Sequence, residues 1–346
     1  MALSLPLDIS ACGAVTAVGL DSAQTCAAVR AKIAGFSDAF PRLPPHEPVR
    51  GAKVAASPQA RRNEPEWLAN LASRAISECL VPGIQTSRVG IIINIPEEFR
   101  AHPALGDGMH GSLTTRLHED WHRRRGHPLH FVREGHAGML SGLRQAAGSI
   151  AKGKVDACIL CGVDSLVNRS DIQRLAGAER LYDRGNPNGV IPGEAAAAVL
   201  VTVPGQADRP LARIHGLGLS AEPHSVLGSK YSQGRGLEAA LAAALEEAGM
   251  PESIVGFRVS DMNGDRYRVW EALFAQARFY RTWRAHLPSW YFTASVGDVG
   301  AATGALALVL AATGIFRRYA PAQWGMCECS SEEGLRGACL VGPAEV

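Results

Sequence analysis

The sequence predicts an α/β fold with helices layered on a sheet, and three observations carry that reading. Apolar β-branched runs alternate with helical periodicity along most of the 346 residues. Alanine and glycine are abundant, which suits close packing of helices on strands. A strand, sharp turn, helix and second strand follow one another without interruption from residue 128 to residue 165.

In order, Ile9–Val18 reads as the first strand and Ser22–Ala34 as the helix after it. The proline-rich stretch 36–57 reads as loop, Glu66–Leu80 as helix and Arg88–Ile95 as a buried strand. Residues 96–127 are polar and irregular. Pro128–Val132 is the next strand, and Gly135-His136-Ala137-Gly138 is a turn of small residues with a histidine at its point. Leu140, Leu143, Ala147 and Ile150 recur at helical spacing, Gly153 ends that helix, and Asp156–Val163 is a buried strand. Farther on, Leu211–Leu219 reads as strand, Gly236–Gly249 as an amphipathic helix stopped by Gly249, and Ile254–Met262 as strand. Tyr267–Arg278 reads as helix, Tyr291–Ser295 as strand, Ala301–Phe316 as a buried helix, and Trp324–Cys329 with Gly337–Val341 as a closing strand pair.

Composition narrows the function. A net charge of +2 gives no global attraction to nucleic acid or membrane. The first residues lack a basic region and Pro6 and Asp8 interrupt the apolar run, so no signal peptide is read. Val299–Phe316 carries no charge over eighteen residues, but its Gly and Ala content favours a buried helix over a membrane span. The eight cysteines form no disulfide framework. Cys158 and Cys161 look like a metal or redox pair, yet residues three apart on a strand face opposite sides, so buried free thiols are expected. From such free thiols a reducing, cytoplasmic location is expected.

Two local motifs invite chemistry. His118-Glu119-Asp120-Trp121-His122 matches H-E-x-x-H, with His127 as a candidate third ligand at a spacing that fits no standard pattern, and Arg123, Arg124 and Arg125 oppose a cation. A solvated helix is the preferred reading and no metal is expected. Arg278-Phe-Tyr-Arg-Thr-Trp-Arg284 interleaves basic and aromatic residues, which suits single-stranded nucleic acid, an acidic carrier protein or a solvated face. The solvated face is preferred, with nucleic acid and membrane excluded as partners. Gly216-Leu217-Gly218 is too short to be a phosphate loop, so no cofactor is expected.

A resemblance organises these elements. Asp156-Ala-Cys-Ile-Leu-Cys-Gly-Val-Asp-Ser165, followed by Leu181-Tyr-Asp-Arg-Gly-Asn-Pro-Asn-Gly-Val-Ile-Pro-Gly-Glu194-Ala-Ala-Ala-Ala-Val-Leu-Val201, resembles the β-ketoacyl-ACP synthases of the thiolase superfamily, including Gly189, Gly193 and Glu194. The opening Ile9-Ser-Ala-Cys-Gly-Ala-Val-Thr-Ala-Val-Gly-Leu-Asp21 resembles that family's first strand and turn. The resemblance implies a thiolase-like duplicated fold, layered α-β-α-β-α, with halves at residues 1–205 and 206–346. It also implies a dimer, homodimer or heterodimer with a related protein, paired through residues 128–133.

The family condenses acyl groups with a cysteine at a helix N-terminus and two histidines. This sequence departs at all three positions. His136 stands where the cysteine aligns, Asn263 replaces the first histidine and Asp298 the second, in registers anchored by Gly264, Gly297 and Gly304. Thr293 occupies the vicinity of a usual lysine, and residues 330–337 replace a glycine-rich loop. Two functions are therefore carried. The first is a catalytically degenerate homologue acting as a binding or accessory protein, with an adaptor for a bacterial type VI secretion effector as the specific form. The second is an acyl-ACP or acyl-CoA acyltransferase or decarboxylase using His136, Asn263 and Asp298, or a chain-length-factor-like partner subunit. A secreted effector and an acyl carrier protein are the corresponding partners. An enzyme should keep an open acyl tunnel to His136; an adaptor should have it filled and expose an apolar patch on residues 96–127.

Overall fold

The computed structural model describes residues 6–38, 48–55, 64–80, 88–97, 100 and 108–344. Its elements in chain order are β1 (Leu7–Thr16), α1 (Ser22–Arg30), β2 (Phe36–Ser37), β3 (Gly51–Ala52), α2 (Glu64–Cys79) and β4 (Val89–Asn94). Then come α3 (Gly108–Leu117), β5 (Leu129–Val132), α4 (Gly138–Ala151), β6 (Ala157–Ser165), α5 (Arg169–Gly177) and β7 (Glu194–Thr202). The remainder is β8 (Ala212–Ala221), α6 (Arg235–Ala248), β9 (Phe257–Ser260), α7 (Arg266–Phe279), β10 (Ser289–Tyr291), α8 (Thr293–Val296), α9 (Thr303–Phe316), β11 (Gly325–Ser330) and β12 (Leu335–Gly342).

The strands fall into two sets with one plan. The first runs β5-β4-β6-β7-β1, parallel from β5 to β6 and antiparallel from β6 to β1. The second runs β10-β9-β11-β12-β8 with the same sequence of directions. They meet where Leu7, Asp8 and Ile9 of β1 pair with Ile214, Arg213 and Ala212 of β8. Helices α4 and α9 lie between the sets and touch strands of both. Outside the first set lies α2 with α3 packed on it; outside the second lies α6 with α7 on it. This is the α-β-α-β-α layering.

Burial on both sides explains why β7 reads Glu-Ala-Ala-Ala-Ala-Val-Leu-Val-Thr with no polar alternation. Ala195, Ala197, Val199 and Val201 face the middle layer, while Ala196, Ala198 and Leu200 face α2. By the same period of two, Cys158 joins the middle core and Cys161 the outer one, on opposite faces. Helix α9 is apolar around nearly its whole circumference because sheets cover it on two sides. No helix among the described residues is long and apolar enough to cross a membrane.

Three stretches differ from the sequence reading. The expected strand at 291–295 ends at Tyr291, and Thr293–Val296 turns helical. Its β-branched residues yield to local hydrogen bonds, Val296 N–H to Phe292 O at 3.1 Å and Gly297 N–H to Thr293 O at 2.9 Å. Residues 96–127 contain α3 and a π-helical turn at His118–Arg123, although 98–99 and 101–107 lie outside the described residues. Helix α5 is an element the sequence reading lacks; it starts where Asn168 caps it by accepting from Asp171 N–H at 2.9 Å.

Candidate functional site

The site grows out of the turn after β5. Gly135 takes a left-handed φ of +63°, and a Cβ there would lie 2.3 Å from the Glu97 carboxyl carbon. Only glycine lets the chain reverse this tightly against Glu97. A single 3₁₀ turn at Gly135–Ala137 then feeds α4, so His136 sits just before the N-terminus of a central helix. A second 3₁₀ turn, Gly300–Ala302, feeds α9 and places Asp298 just before the N-terminus of the other. The two turns touch, so two positive helix ends converge on one point.

The chain's own carboxylate occupies that point. Asp298 Oδ1 lies 2.7 Å from His136 Nε2 and accepts Gly300 N–H at 3.0 Å. Its Oδ2 accepts Asn263 Nδ2–H at 2.6 Å. The structure thus brings His136, Asn263 and Asp298, which are far apart in sequence, into one buried hydrogen-bonded cluster. Burial alone would raise the Asp298 carboxyl, but the His136 charge and hydrogen bond, with Gly300 and Asn263, hold it far below the ordinary carboxylate range. Burial lowers the His136 imidazole, and the Asp298 charge and hydrogen bond outweigh it, so the net shift is upward. The other ring nitrogen, Nδ1, is buried and makes no hydrogen bond.

A wall of ion pairs surrounds the cluster. Asp265 N–H donates to Asn263 Oδ1 at 3.1 Å, and Asp265 in turn pairs with Arg180 at 2.6 Å. Arg180 also holds Glu332 at 2.5 Å, and Arg174 reaches the same Glu332 at 3.0 Å. Arg268 is buried against Asp261 at 3.8 Å and Glu271 at 3.9 Å. Ser331 ties the C-terminal loop to the turn: its Oγ accepts Ala137 N–H at 2.9 Å and donates to Glu134 O. These residues were not singled out from the sequence. They scatter between positions 174 and 332 with no motif spacing; the one signal was the changed loop at 330–337, which contains Ser331 and Glu332.

Gly193 joins the family-like segment to the site. Its N–H donates to Asp298 O at 2.8 Å, and a Cβ there would lie 2.1 Å from Val296 O. Gly193→Ala is expected to cost about 1–3 kcal/mol by forcing residues 296–298 off their positions, read as a lowered urea midpoint. An unchanged midpoint would show that the contact relaxes without cost.

A thiol nucleophile does not emerge. Burial pushes all eight cysteines up from the ordinary thiol value, so none is a thiolate near neutral pH. Thr293, near the expected lysine position, donates its hydroxyl to Met262 O beside Asn263. The His-Glu-x-x-His motif forms no ligand set: His122 Nδ1 is 2.9 Å from His127 O, and Glu119 pairs with Arg123 and Arg124. No group of three metal-binding side chains occurs among the described residues. In the basic segment, Arg278 pairs with Glu238 and Arg284 with Glu252, both at 2.5 Å.

No family model and no curated protein matches this sequence. Solved structures do match. The complex of a type II PKS acyl-carrier protein with its ketosynthase superposes with a TM-score of 0.79 at 14% identity, covering 98% of this chain and 99% of that one. A ketosynthase in complex with its chain length factor from Xenorhabdus doucetiae gives 0.78 at 16% identity, covering 97% and 98%. A β-ketoacyl synthase from Burkholderia phymatum gives 0.74 at 15% identity, covering 98% and 100%. From its first described strand to its last, the chain has the thiolase-like fold of ketosynthases.

Proposed function

We propose that this chain is a non-condensing member of the ketosynthase fold that works as a binding subunit, in the manner of a chain length factor, paired with an active ketosynthase. One observation carries the reading: where the two central helices converge, the Asp298 carboxylate already fills the anion-favouring position and is saturated by His136, Asn263 and Gly300. A condensing site needs that position open for a substrate oxyanion and a thiolate beside it. Solved ketosynthase–chain length factor pairs among the structural neighbours support the pairing.

The surface supports a protein partner. Trp270 and Leu273 on α7 are each 51% exposed, Phe274 stands beside them, and Trp283 after the helix is 87% exposed. Positions 270, 273 and 274 share one helix face, an apolar stripe of the kind that proteins bury against one another. The expected apolar patch at 96–127 is not there among the described residues, since Leu113, Leu117 and Trp121 are fully buried. An adaptor role for a type VI secretion effector draws no support from the neighbours.

Two measurements test the proposal. Incubated with acyl-ACP or acyl-CoA and a malonyl donor, the protein should show no acyl adduct by intact mass and no release of carbon dioxide. In the native state iodoacetamide should label no cysteine appreciably, since burial raises even the partly exposed Cys12 thiol, and all eight should react after unfolding. An acyl adduct on His136 would overturn the reading. Affinity purification from the native host should recover a ketosynthase in near-stoichiometric amount; recovery of a secreted effector instead would restore the adaptor.

A further inference from the structure

A second site lies away from the buried cluster. A cavity of about 420 Å³ opens between α1, the segment 289–295 and the end of α9. Leu310 and Cys26 are buried on its lining, and the rings of Trp290 and Tyr319 stack there with centroids 5.9 Å apart. The stacked pair gives the cavity an aromatic wall, which suits a planar apolar body. The Tyr319 hydroxyl is buried beside the Cys26 thiol and has no oxygen or nitrogen partner. Burial raises this phenol above its ordinary value, so it remains a hydrogen-bond donor at neutral pH.

The lining carries one sign of charge. Arg30 and Lys32 both contribute to it, and both are exposed. Arg30 lies over the Tyr319 ring at 4.7 Å from its centroid, and no ion pair engages either cation among the described residues. Among the described residues no carboxylate lines the cavity. Two cations beside an aromatic slot repel a cationic ligand, and a neutral hydrocarbon would leave them without use. A flat ring bearing one carboxylate satisfies the walls and the charge together.

We propose that this cavity binds an aromatic carboxylate, with the ring between Trp290 and the apolar wall and the carboxylate at Arg30 and Lys32. The site is separate from His136 and Asp298 but not insulated from them. The segment 289–295, which supplies Ser289, Trp290, Tyr291, Ala294 and Ser295 to the lining, runs directly into Gly297 and Asp298, and Thr293 of the same segment, behind the lining, bonds to Met262 O next to Asn263.

The test is isothermal titration of the full chain with 2-naphthoate, 2-naphthalenemethanol and 2-naphthylmethylamine. Saturable one-to-one binding of the carboxylate is expected, with the alcohol at least about tenfold weaker and the amine weaker still. Arg30→Gln combined with Lys32→Gln should weaken naphthoate about 10- to 100-fold and leave the alcohol unchanged. Ala294→Trp, at an exposed position on the lining, should abolish binding of all three while unfolding at the wild-type temperature. Absence of naphthoate binding overturns the proposal. So does naphthoate affinity that survives both variants, or an alcohol bound as tightly as the acid.

Discussion

Asp298→Ala is expected to cost about 3–5 kcal/mol of folding stability, the range for breaking a buried, hydrogen-bonded charge pair by removing one partner. The variant leaves the His136 imidazole, the Asn263 amide and the Gly300 N–H without their shared acceptor. A domain typically holds about 5–15 kcal/mol in total, so the urea midpoint should fall by about a fifth or more. Asn263→Ala removes one of the three contacts and should cost about 1.5–3 kcal/mol. A loss below about 1 kcal/mol for Asp298→Ala would mean that water reaches the carboxylate, and the saturated site would have to be abandoned.

The same pair gives stability a defined pH dependence. His136 is shifted upward in the folded state, so its contribution is complete below the unfolded imidazole value of about 6.5 and is lost as pH rises through the higher folded value. Asp298 is shifted downward, so its contribution is complete above the unfolded carboxylate value of about 3.9 and is lost as pH falls toward its depressed folded value. Together they stabilise most between those two unfolded values. Wild-type protein should therefore lose stability, relative to His136→Gln, as pH rises from 6 to 9. Parallel curves for the two proteins would place the imidazole outside the ion pair.

How much of this was legible depended on which interaction set each residue. The turn at 135–138, the helix after it and the buried run at 303–316 follow from local periodicity, and tertiary packing agrees with it. At 293–296 local hydrogen bonding overrides β-propensity: a Thr-Ala-Ser-Val run that reads as strand closes into a helical turn leading to Gly297. The positions of His136, Asn263 and Asp298 were legible only through registers anchored by glycines, because contacts over separations of 35 and 162 residues leave no spacing to read. Glu97, Arg180 and Arg268 were not legible at all, and Glu332 only as a member of the changed loop at 330–337. Each is an ordinary charged residue until the fold buries it against a partner on another element.

Phe131→Pro is expected to abolish the proposed pairing with a ketosynthase, raising the dissociation constant at least about 100-fold, or about 2.7 kcal/mol. β5 ends its strand set, and among the described residues it pairs with β4 on one side only. The bonds to β4 include Ile91 N–H to Pro128 O at 2.8 Å and Ile95 N–H to Val132 O at 2.9 Å. In a parallel ladder the bonding residues alternate, so Leu129 and Phe131 direct their backbone groups to the open edge. Proline at 131 removes an outward N–H and no bond to β4, a change edge strands accommodate, and Phe131→Ala is the reference for the loss of the partly buried ring that packs on the outer core. His130→Pro is the counterpart: its N–H faces β4, so that variant should lose stability instead. Sedimentation of the co-expressed proteins separates the two outcomes. If Phe131→Pro still travels with the ketosynthase at one-to-one stoichiometry, the partner does not extend this sheet, and the exposed stripe at Trp270, Leu273 and Phe274 becomes the surface to mutate next.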